Sequence, residues 1–101
     1  MRIAVIGQGS IGQRHARNFA ALGCQVRTYD LAHNPDTPIE SVLDGSDGCV
    51  IATPPESHIE IAWKALGAGC HLMLEKPVAL ELADLGHLFA ACRRAGATAM
   101  V

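Results

Sequence analysis

The opening stretch, Met1 to Arg17, constrains the fold more than any other part of the chain. It reads MRIAVIGQGSIGQRHAR, in which a short apolar run leads into three glycines and then into a helical pattern. The G-x-G-x-x-G spacing suits a strand-to-helix turn that binds a pyrophosphate. Gly7 permits the turn, Gly9 the approach of a phosphate and Gly12 the packing of helix on strand. The free N–H groups and the dipole of the helix stabilise a phosphate there. This context favours a dinucleotide site over a purely structural turn.

An acidic residue follows the second predicted strand, Gln25 to Tyr29. Asp30 stands 18 residues after Gly12, where a carboxylate accepts hydrogen bonds from the adenosine ribose. The alternative is a strand-end aspartate that caps a turn. A carboxylate repels the 2′-phosphate of NADP, and residues 31–34 contain no arginine. Because side chains alternate along a strand, Arg27 points to the same face of the sheet as Tyr29 and away from Asp30. We therefore predict NAD as cofactor and NADP as less favoured.

Strand and helix patterns alternate along the chain, which indicates an α/β fold. Because crossovers are right-handed, we predict an open, doubly wound parallel sheet of about five strands in the order 2-1-3-4-5. Pro35 and Pro38 break the segment after Asp30, where a further helix and strand would normally lie, so strand 2 is expected at a bare edge. The predicted helices cover 10–22, 39–44, about 58–67 and 81–95, and the other strands cover 3–6, 49–52, 71–74 and 98–101.

Apolar residues at helical spacing predict which helix faces are buried. We expect a core role for Trp63 and no cofactor role, and we expect Ser57 to cap the helix that follows it. The predicted core-facing residues are Ile11, Phe19 and Leu22; Ile59, Ala62, Trp63 and Leu66; and Leu82, Leu85, Leu88, Phe89 and Cys92.

Composition excludes several classes of partner. The 101 residues are half hydrophobic, which suits one compact domain. With 8 Lys and Arg against 10 Asp and Glu, and no basic block, we expect neither nucleic acid nor a membrane as partner. We see no signal peptide and no apolar run of about 20 residues. The 4 scattered cysteines lack a C-x-x-C pair, so we expect reduced thiols, a cytoplasmic protein and no metal site.

Two further motifs stand at the ends of strands. They are IATPPESH, from Ile51 to His58, and EKPVAL, from Glu75 to Leu80. In open α/β sheets ligands bind outside the carboxyl ends of the strands, so both motifs share an edge with the glycine loop. With IGQGSIGQRHARN, they span nearly the whole chain and resemble the N-terminal Rossmann domain of the Gfo/Idh/MocA oxidoreductases, the group of glucose-fructose oxidoreductase and inositol dehydrogenase.

The resemblance implies roles for individual residues. Lys76 would be catalytic and would polarise a substrate hydroxyl or carbonyl during hydride transfer between the nicotinamide and a sugar, inositol or related polyol. We also expect a cis bond between Lys76 and Pro77. His58 has an alternative as a locally satisfied helix residue, and the other histidines are left structural or exposed. The implied cofactor contacts are Gly7, Gly9, Ser10, Ile11 and Gly12 for the phosphates, Asp30 for the ribose, and Thr53, Pro54, His58 and Glu75 for the nicotinamide half.

The substrate domain of that family is absent from these residues. We therefore expect 1–101 to be a dinucleotide-binding domain alone, a truncated chain that binds cofactor without efficient turnover, and whether it is an enzyme stays open. The alternative is a non-catalytic dinucleotide-binding, regulatory or assembly module. A coenzyme A or S-adenosylmethionine site fits the glycines but leaves E-K-P unexplained. Exposed apolar surface at strand 5 and the bare edge of strand 2 predict a homo-oligomer.

Overall fold

Strands and helices alternate along the chain in the computed structural model, which describes residues 1–33 and 36–101. The predicted break at Pro35 lies outside the described residues. A single turn of 3₁₀ helix, Pro55–Ser57, precedes the third α-helix. The elements are β1 (Arg2–Ile6), α1 (Ser10–Ala21), β2 (Gln25–Tyr29), α2 (Glu40–Leu43), β3 (Gly48–Ile51), α3 (His58–Gly67), β4 (His71–Leu74), α4 (Leu82–Ala95) and β5 (Ala99–Met100).

The strands form one parallel sheet in the order β2-β1-β3-β4-β5, which confirms the predicted topology. Ile3 pairs with Val26 on one side and with Gly48 on the other, so β1 is central. Strand β2 pairs with β1 and stands at the edge of the sheet, as predicted. All carboxyl ends therefore lie along one edge, where the loops after β1, β2, β3 and β4 meet.

Helices cover both faces of the sheet. On one face Phe19 and Ala16 of α1 pack against Ile3, Val5 and Val50. The other face forms the larger core, in which α2, α3 and α4 each contribute a residue that is fully buried; these are Leu43, Ala62 and Leu88. This double winding fixes the glycine loop and the loop after β3 on a rigid base.

Several predicted core residues are exposed instead. The exposed fractions are 42% for Trp63, 77% for Leu22 and 83% for Leu82, and Ile11 is also exposed. In α3 the buried face consists of His58, Ile61, Ala62 and Ala65, one residue away from the predicted stripe. Small alanines let this helix approach the sheet closely, so the bulky Trp63 is turned outward. Leu22 and Leu82 lie at helix ends, beyond the edge of the packed core.

The four cysteines are free thiols, three of them buried and Cys24 partly buried. Within residues 1–33 and 36–101, no helix is long and apolar enough to cross a membrane. In the same residues, no group of three His, Cys, Asp or Glu side chains is arranged to hold a metal ion.

Candidate functional site

Two of the loop glycines are required by contacts within the protein. Gly7 has φ +97°, and a Cβ atom on it would lie 2.6 Å from the carbonyl oxygen of Ala52. Its N–H donates a hydrogen bond of 2.8 Å to the carbonyl of Tyr29. A Cβ atom on Gly12 would collide with the carbonyl oxygen of Gly7. The chain therefore turns sharply from β1 into α1 and holds the helix close to the strand end.

Gly9 is different, because beyond its own chain neighbours no atom of the described residues lies within 4 Å of the position its Cβ would take. Its φ of −70° and ψ of −171° are open to any residue. Gly9 is the N-cap of α1, yet it offers no side chain to the first N–H groups, and the first turn carries no carboxylate. Ser10 and Ile11, the next two residues, are exposed. An open space above uncapped helical N–H groups fits the pyrophosphate of a dinucleotide.

A cleft of about 920 Å³ extends from this loop along the carboxyl ends of β2 and β3. Pockets that bind small molecules have volumes of roughly 300–1,000 Å³, so the cleft is large enough for an extended ligand. Its wall includes the predicted contacts Gly7, Gly9, Asp30, Thr53 and Pro54. The structure therefore brings the phosphate, ribose and A-T-P-P residues together around one space.

Asp30 lines the cleft at the end of β2. Its Oδ1 accepts a hydrogen bond of 2.9 Å from the N–H of Ala32, and Oδ2 lies 3.4 Å from Nδ1 of His33. These contacts show the turn-capping geometry and at the same time fix the carboxylate beside the cleft. The two roles considered for Asp30 are therefore compatible.

Further carboxylates line the cleft. Among the cleft-lining residues that the structure describes, Lys64 is the cation, and its Nζ lies 3.8 Å from Oε1 of both Glu40 and Glu60. Asp36 and Glu56 add two more negative charges. Acidic side chains thus outnumber basic ones along the described lining of the cleft.

Strand β2 also holds the outer wall of the cleft in place. The hydroxyl of Tyr29 donates to the carbonyl of Thr37 over 2.7 Å. Arg27 donates to the carbonyl of Asp44 over 2.6 Å and to Oγ of Ser46 over 3.0 Å. Arg27 therefore faces the segment around α2 and not Asp30, as strand alternation predicts.

The A-T-P-P loop, Ala52 to Pro55, is held by the side chains of Ser57 and His58, which follow it. The hydroxyl of Ser57 lies 2.7 Å from Oγ1 of Thr53 and 2.9 Å from the carbonyl oxygen of Pro54. Ser57 stands at the N-cap position of α3 as predicted, but its hydroxyl makes no cap hydrogen bond. The physical reason is that the hydroxyl is engaged by these two loop oxygens instead.

His58 is fully buried, and its Nε2 lies 2.8 Å from the carbonyl oxygen of Thr53. Because a carbonyl only accepts, Nε2 carries the proton, and Nδ1 has no hydrogen-bond partner among the described residues. From this position His58 does not reach the cleft. Its arrangement is that of the locally satisfied helix residue, which supports the loop through Thr53.

Glu75 and Lys76 follow β4 and are not among the residues that line the cleft. The N–H of Glu75 donates to the carbonyl of Ile51 over 3.2 Å, which joins the turn to β3. Lys76 is exposed, and the bond between Lys76 and Pro77 is cis, as predicted. The E-K-P turn is thus attached to the sheet at the edge that carries the glycine loop.

His15 is a residue that sequence reasoning left without a role. Its Nε2 lies 2.6 Å from Oε1 of Glu75, so α1 is joined directly to the E-K-P turn. The sequence signal was weak, because 60 residues separate the two partners. Only the topology, which places α1 beside the end of β4, brings them together.

The family model described as "Oxidoreductase family, NAD-binding Rossmann fold", of the Gfo/Idh/MocA group, matches residues 21–101. The chain belongs to this family.

Curated Gfo/Idh/MocA relatives include sugar and inositol dehydrogenases. UDP-N-acetylglucosamine 3-dehydrogenase of Acidithiobacillus ferrooxidans is 30% identical over 93 residues, covering 80% of this chain and 30% of the relative. The scyllo-inositol 2-dehydrogenase (NAD(+)) of Bacillus subtilis is 31% identical over 102 residues, covering 83% of this chain and 30% of the relative. The chain therefore spans about 30% of the length of these two relatives.

Solved structures share the fold over nearly the whole chain, including the glycine loop. The Acidithiobacillus ferrooxidans enzyme superposes with a TM-score of 0.86 at 26% identity, covering 98% of this chain and 36% of that one. Biliverdin reductase of Synechocystis, in complex with biliverdin and NADP+, gives a TM-score of 0.87 at 28% identity, covering 99% of this chain and 37% of that one. The fold of these structures is thus shared over nearly the whole chain.

Proposed function

We propose that residues 1–101 are the NAD-binding domain of an oxidoreductase that transfers hydride between nicotinamide and a sugar, inositol or related polyol. The observation that carries the proposal is the open space above Gly9, which continues into a 920 Å³ cleft that reaches Asp30. Support for the substrate class comes from the names of the relatives, which specify a nucleotide sugar and an inositol.

In this proposal the glycine loop holds the two phosphates. The N–H groups at the start of α1, at Ser10, Ile11 and Gly12, supply hydrogen bonds and the positive end of the helix dipole. Gly9 keeps a side chain out of the space that the phosphates occupy, and Gly7 permits the turn that leads into the helix. Asp30 accepts hydrogen bonds from the hydroxyls of the adenosine ribose.

We propose NAD in preference to NADP. A solved relative binds NADP+, so the fold by itself accommodates either cofactor. In this chain the discriminating feature is charge: Asp30 stands with Asp36, Glu40, Glu56 and Glu60 along the cleft. A 2′-phosphate beside these carboxylates would be repelled, whereas a ribose hydroxyl would be a hydrogen-bond donor to Asp30.

The nicotinamide half would lie near Thr53, Pro54 and Glu75, with His58 supporting the loop from below. When bound, the nicotinamide supplies or accepts a hydride at its C4. Lys76 orients the substrate oxygen with its ammonium group and stabilises the negative charge that develops there. The same ammonium is placed to give a proton to that oxygen or take one from it.

Turnover, in this proposal, needs a substrate domain in addition to residues 1–101. We also propose a homo-oligomer, built through the edge strands β2 and β5, and a reducing compartment such as the cytoplasm, in keeping with four free thiols. Sedimentation as a clean monomer at high concentration would contradict the oligomer.

Calorimetric titration of the chain with NAD, NADH and NADP tests the proposed function. We expect NAD and NADH to bind in the cleft and NADP to bind more weakly. Absence of binding of all three would overturn the dinucleotide function. Equal binding of NAD and NADP would leave the dinucleotide site standing and overturn the cofactor preference.

A further inference from the structure

The hydrogen bond between His15 and Glu75 joins two parts of the site that are far apart in sequence. His15 lies in the second turn of α1, whose first turn faces the proposed phosphate site. Glu75 is the first residue after β4 and directly precedes Lys76. The 2.6 Å contact therefore runs from the phosphate-binding helix to the segment that carries the proposed catalytic lysine.

The geometry of the contact is that of a strong hydrogen bond. A carboxylate only accepts, so Nε2 of His15 donates its proton to Oε1 of Glu75. The two side chains are 23% and 39% exposed, so both are partly shielded from water. A short bond to an ionised acceptor, partly removed from solvent, holds both rotamers firmly.

Glu75 is consequently held at two points. Its N–H is bonded to the carbonyl of Ile51 in β3, and its side chain is bonded to α1. Lys76 follows it without an intervening residue and leads into the cis bond with Pro77. The backbone that carries Lys76 is thus fixed relative to both the sheet and the phosphate-binding helix.

The pair also determines where the negative charge of Glu75 lies. Among residues 1–33 and 36–101, Lys76 makes no ion pair, although a carboxylate is its immediate neighbour in sequence. The carboxylate is bonded to His15 instead. The ammonium of Lys76 is therefore left available to an oxygen of another molecule.

We propose that His15 is a positioning residue for Lys76. It binds the Glu75 carboxylate, which fixes the E-K-P turn relative to α1 and prevents Glu75 from pairing with Lys76. Occupation of the phosphate site and placement of the lysine are then mechanically coupled through α1. This inference rests on the proposed function, because it concerns how the cofactor site and Lys76 act together.

The two lysines of the sequence make the test selective. Labelling with [ε-13C]lysine gives one NMR signal from Lys64, which lines the cleft, and one from Lys76, which does not. Lys76→Arg assigns the signals. During titration with NADH, Lys64 reports occupation of the cleft and Lys76 reports the placement of the E-K-P turn.

We expect NADH to shift both signals in the unmodified chain. In His15→Ala the phosphate contacts remain, so the Kd for NADH should change by less than about threefold and Lys64 should respond as before. The response of Lys76 should fall by about half or more, because its support is lost. His15→Gln, whose amide can donate to Glu75, should restore the Lys76 response. His87→Ala, at an exposed position of α4, is the matched control and should change neither signal.

Glu75→Ala breaks the same contact from the other side and replaces His15→Ala if that variant does not fold. A normal Lys76 response in a folded variant lacking the pair, with Lys64 still responding, would overturn the positioning role and leave the proposed function intact. Failure of NADH to shift Lys64 or to bind the unmodified chain would overturn the proposed function, and the inference with it.

Discussion

A Cβ atom on Gly12 would overlap the carbonyl oxygen of Gly7. Both atoms belong to backbone that is fixed, on one side by β1 and on the other by α1, so neither can yield by a side-chain rotation. The contact explains why the turn between the strand and the helix excludes a side chain at this position, independently of any ligand.

Gly12→Ala should therefore lower the free energy of unfolding by about 2–3 kcal/mol, as overpacking of rigid structure does. Urea unfolding followed by circular dichroism measures the change. Gly86→Ala is the matched control, because Gly86 lies inside α4 and, apart from its neighbours and the backbone of its own helix, no atom of the described residues lies within 4 Å of its Cβ position. Alanine there should raise stability by up to about 1 kcal/mol. Equal stability of the two variants would contradict the close contact.

Asp30→Asn should weaken NADH binding about tenfold and reduce the difference in affinity between NADH and NADPH. It removes the charged acceptor for the ribose hydroxyls, and a hydrogen bond to a charged group contributes about 1.5–3 kcal/mol. It also removes a charge that repels the 2′-phosphate. Fluorescence titration with both reduced cofactors measures the two effects.

Asp36→Asn removes the same unit of charge from the same cleft and is the control for Asp30→Asn. We expect it to change the binding of NADH little, because Asp36 does not follow β2 directly. If both substitutions weakened NADH equally, general electrostatics would explain the effect and the specific ribose role of Asp30 would be wrong.

The buried thiols should make the fold sensitive to alkaline pH. Burial, and then the neighbouring Cys70, raises the pKa of the Cys49 thiol well above its usual range, and burial is the main cause of the raised pKa of Cys70. Above about pH 8.5 the unfolded chain releases thiol protons that the folded chain retains. The stabilisation is complete below that pH and is lost as the pH rises toward the folded pKa values. The free energy of unfolding should fall by up to about 1.4 kcal/mol per pH unit for each thiol.

Urea unfolding between pH 7 and pH 10, under reducing conditions, measures this slope. Cys49→Ala combined with Cys70→Ala should flatten it, whatever the absolute cost of the cavities. Cys24→Ala, which removes the partly exposed thiol, is the control for loss of a cysteine. An unchanged slope in the double variant would show that other groups cause the loss of stability at alkaline pH.

The sequence predicted those parts of the fold that local chemistry determines. The glycine loop, the strand order, the edge position of β2 and the cis bond before Pro77 follow from rules that act over a few residues or on chain handedness. The prediction of which helix faces are buried was less successful. Trp63 was assigned to the core by its helical spacing, whereas α3 is oriented by the small residues Ala62 and Ala65, which allow the closest approach to the sheet.

The positions of several candidate site residues could also be predicted, because they depend on the strand order. Gly9, Asp30 and Thr53 meet at one cleft because parallel strands end at one edge, and this could be inferred from order alone. His58 has the right spacing, but its first-turn position carries it into the core beneath Thr53. The partner of His15 is 60 residues away and could not be read from a local pattern.

The most direct test of the account is the variant Gly9→Asp, measured for both stability and NADH binding. Gly9 has open space at its Cβ position and the extended backbone of an N-cap, and aspartate is a favoured N-cap beside the helix dipole. We expect the free energy of unfolding to be unchanged or raised by up to about 1 kcal/mol. NADH binding should be lost, because a carboxylate occupies the phosphate site. A folded Gly9→Asp chain that bound NADH as tightly as the unmodified chain would contradict the assignment of this loop as the dinucleotide site.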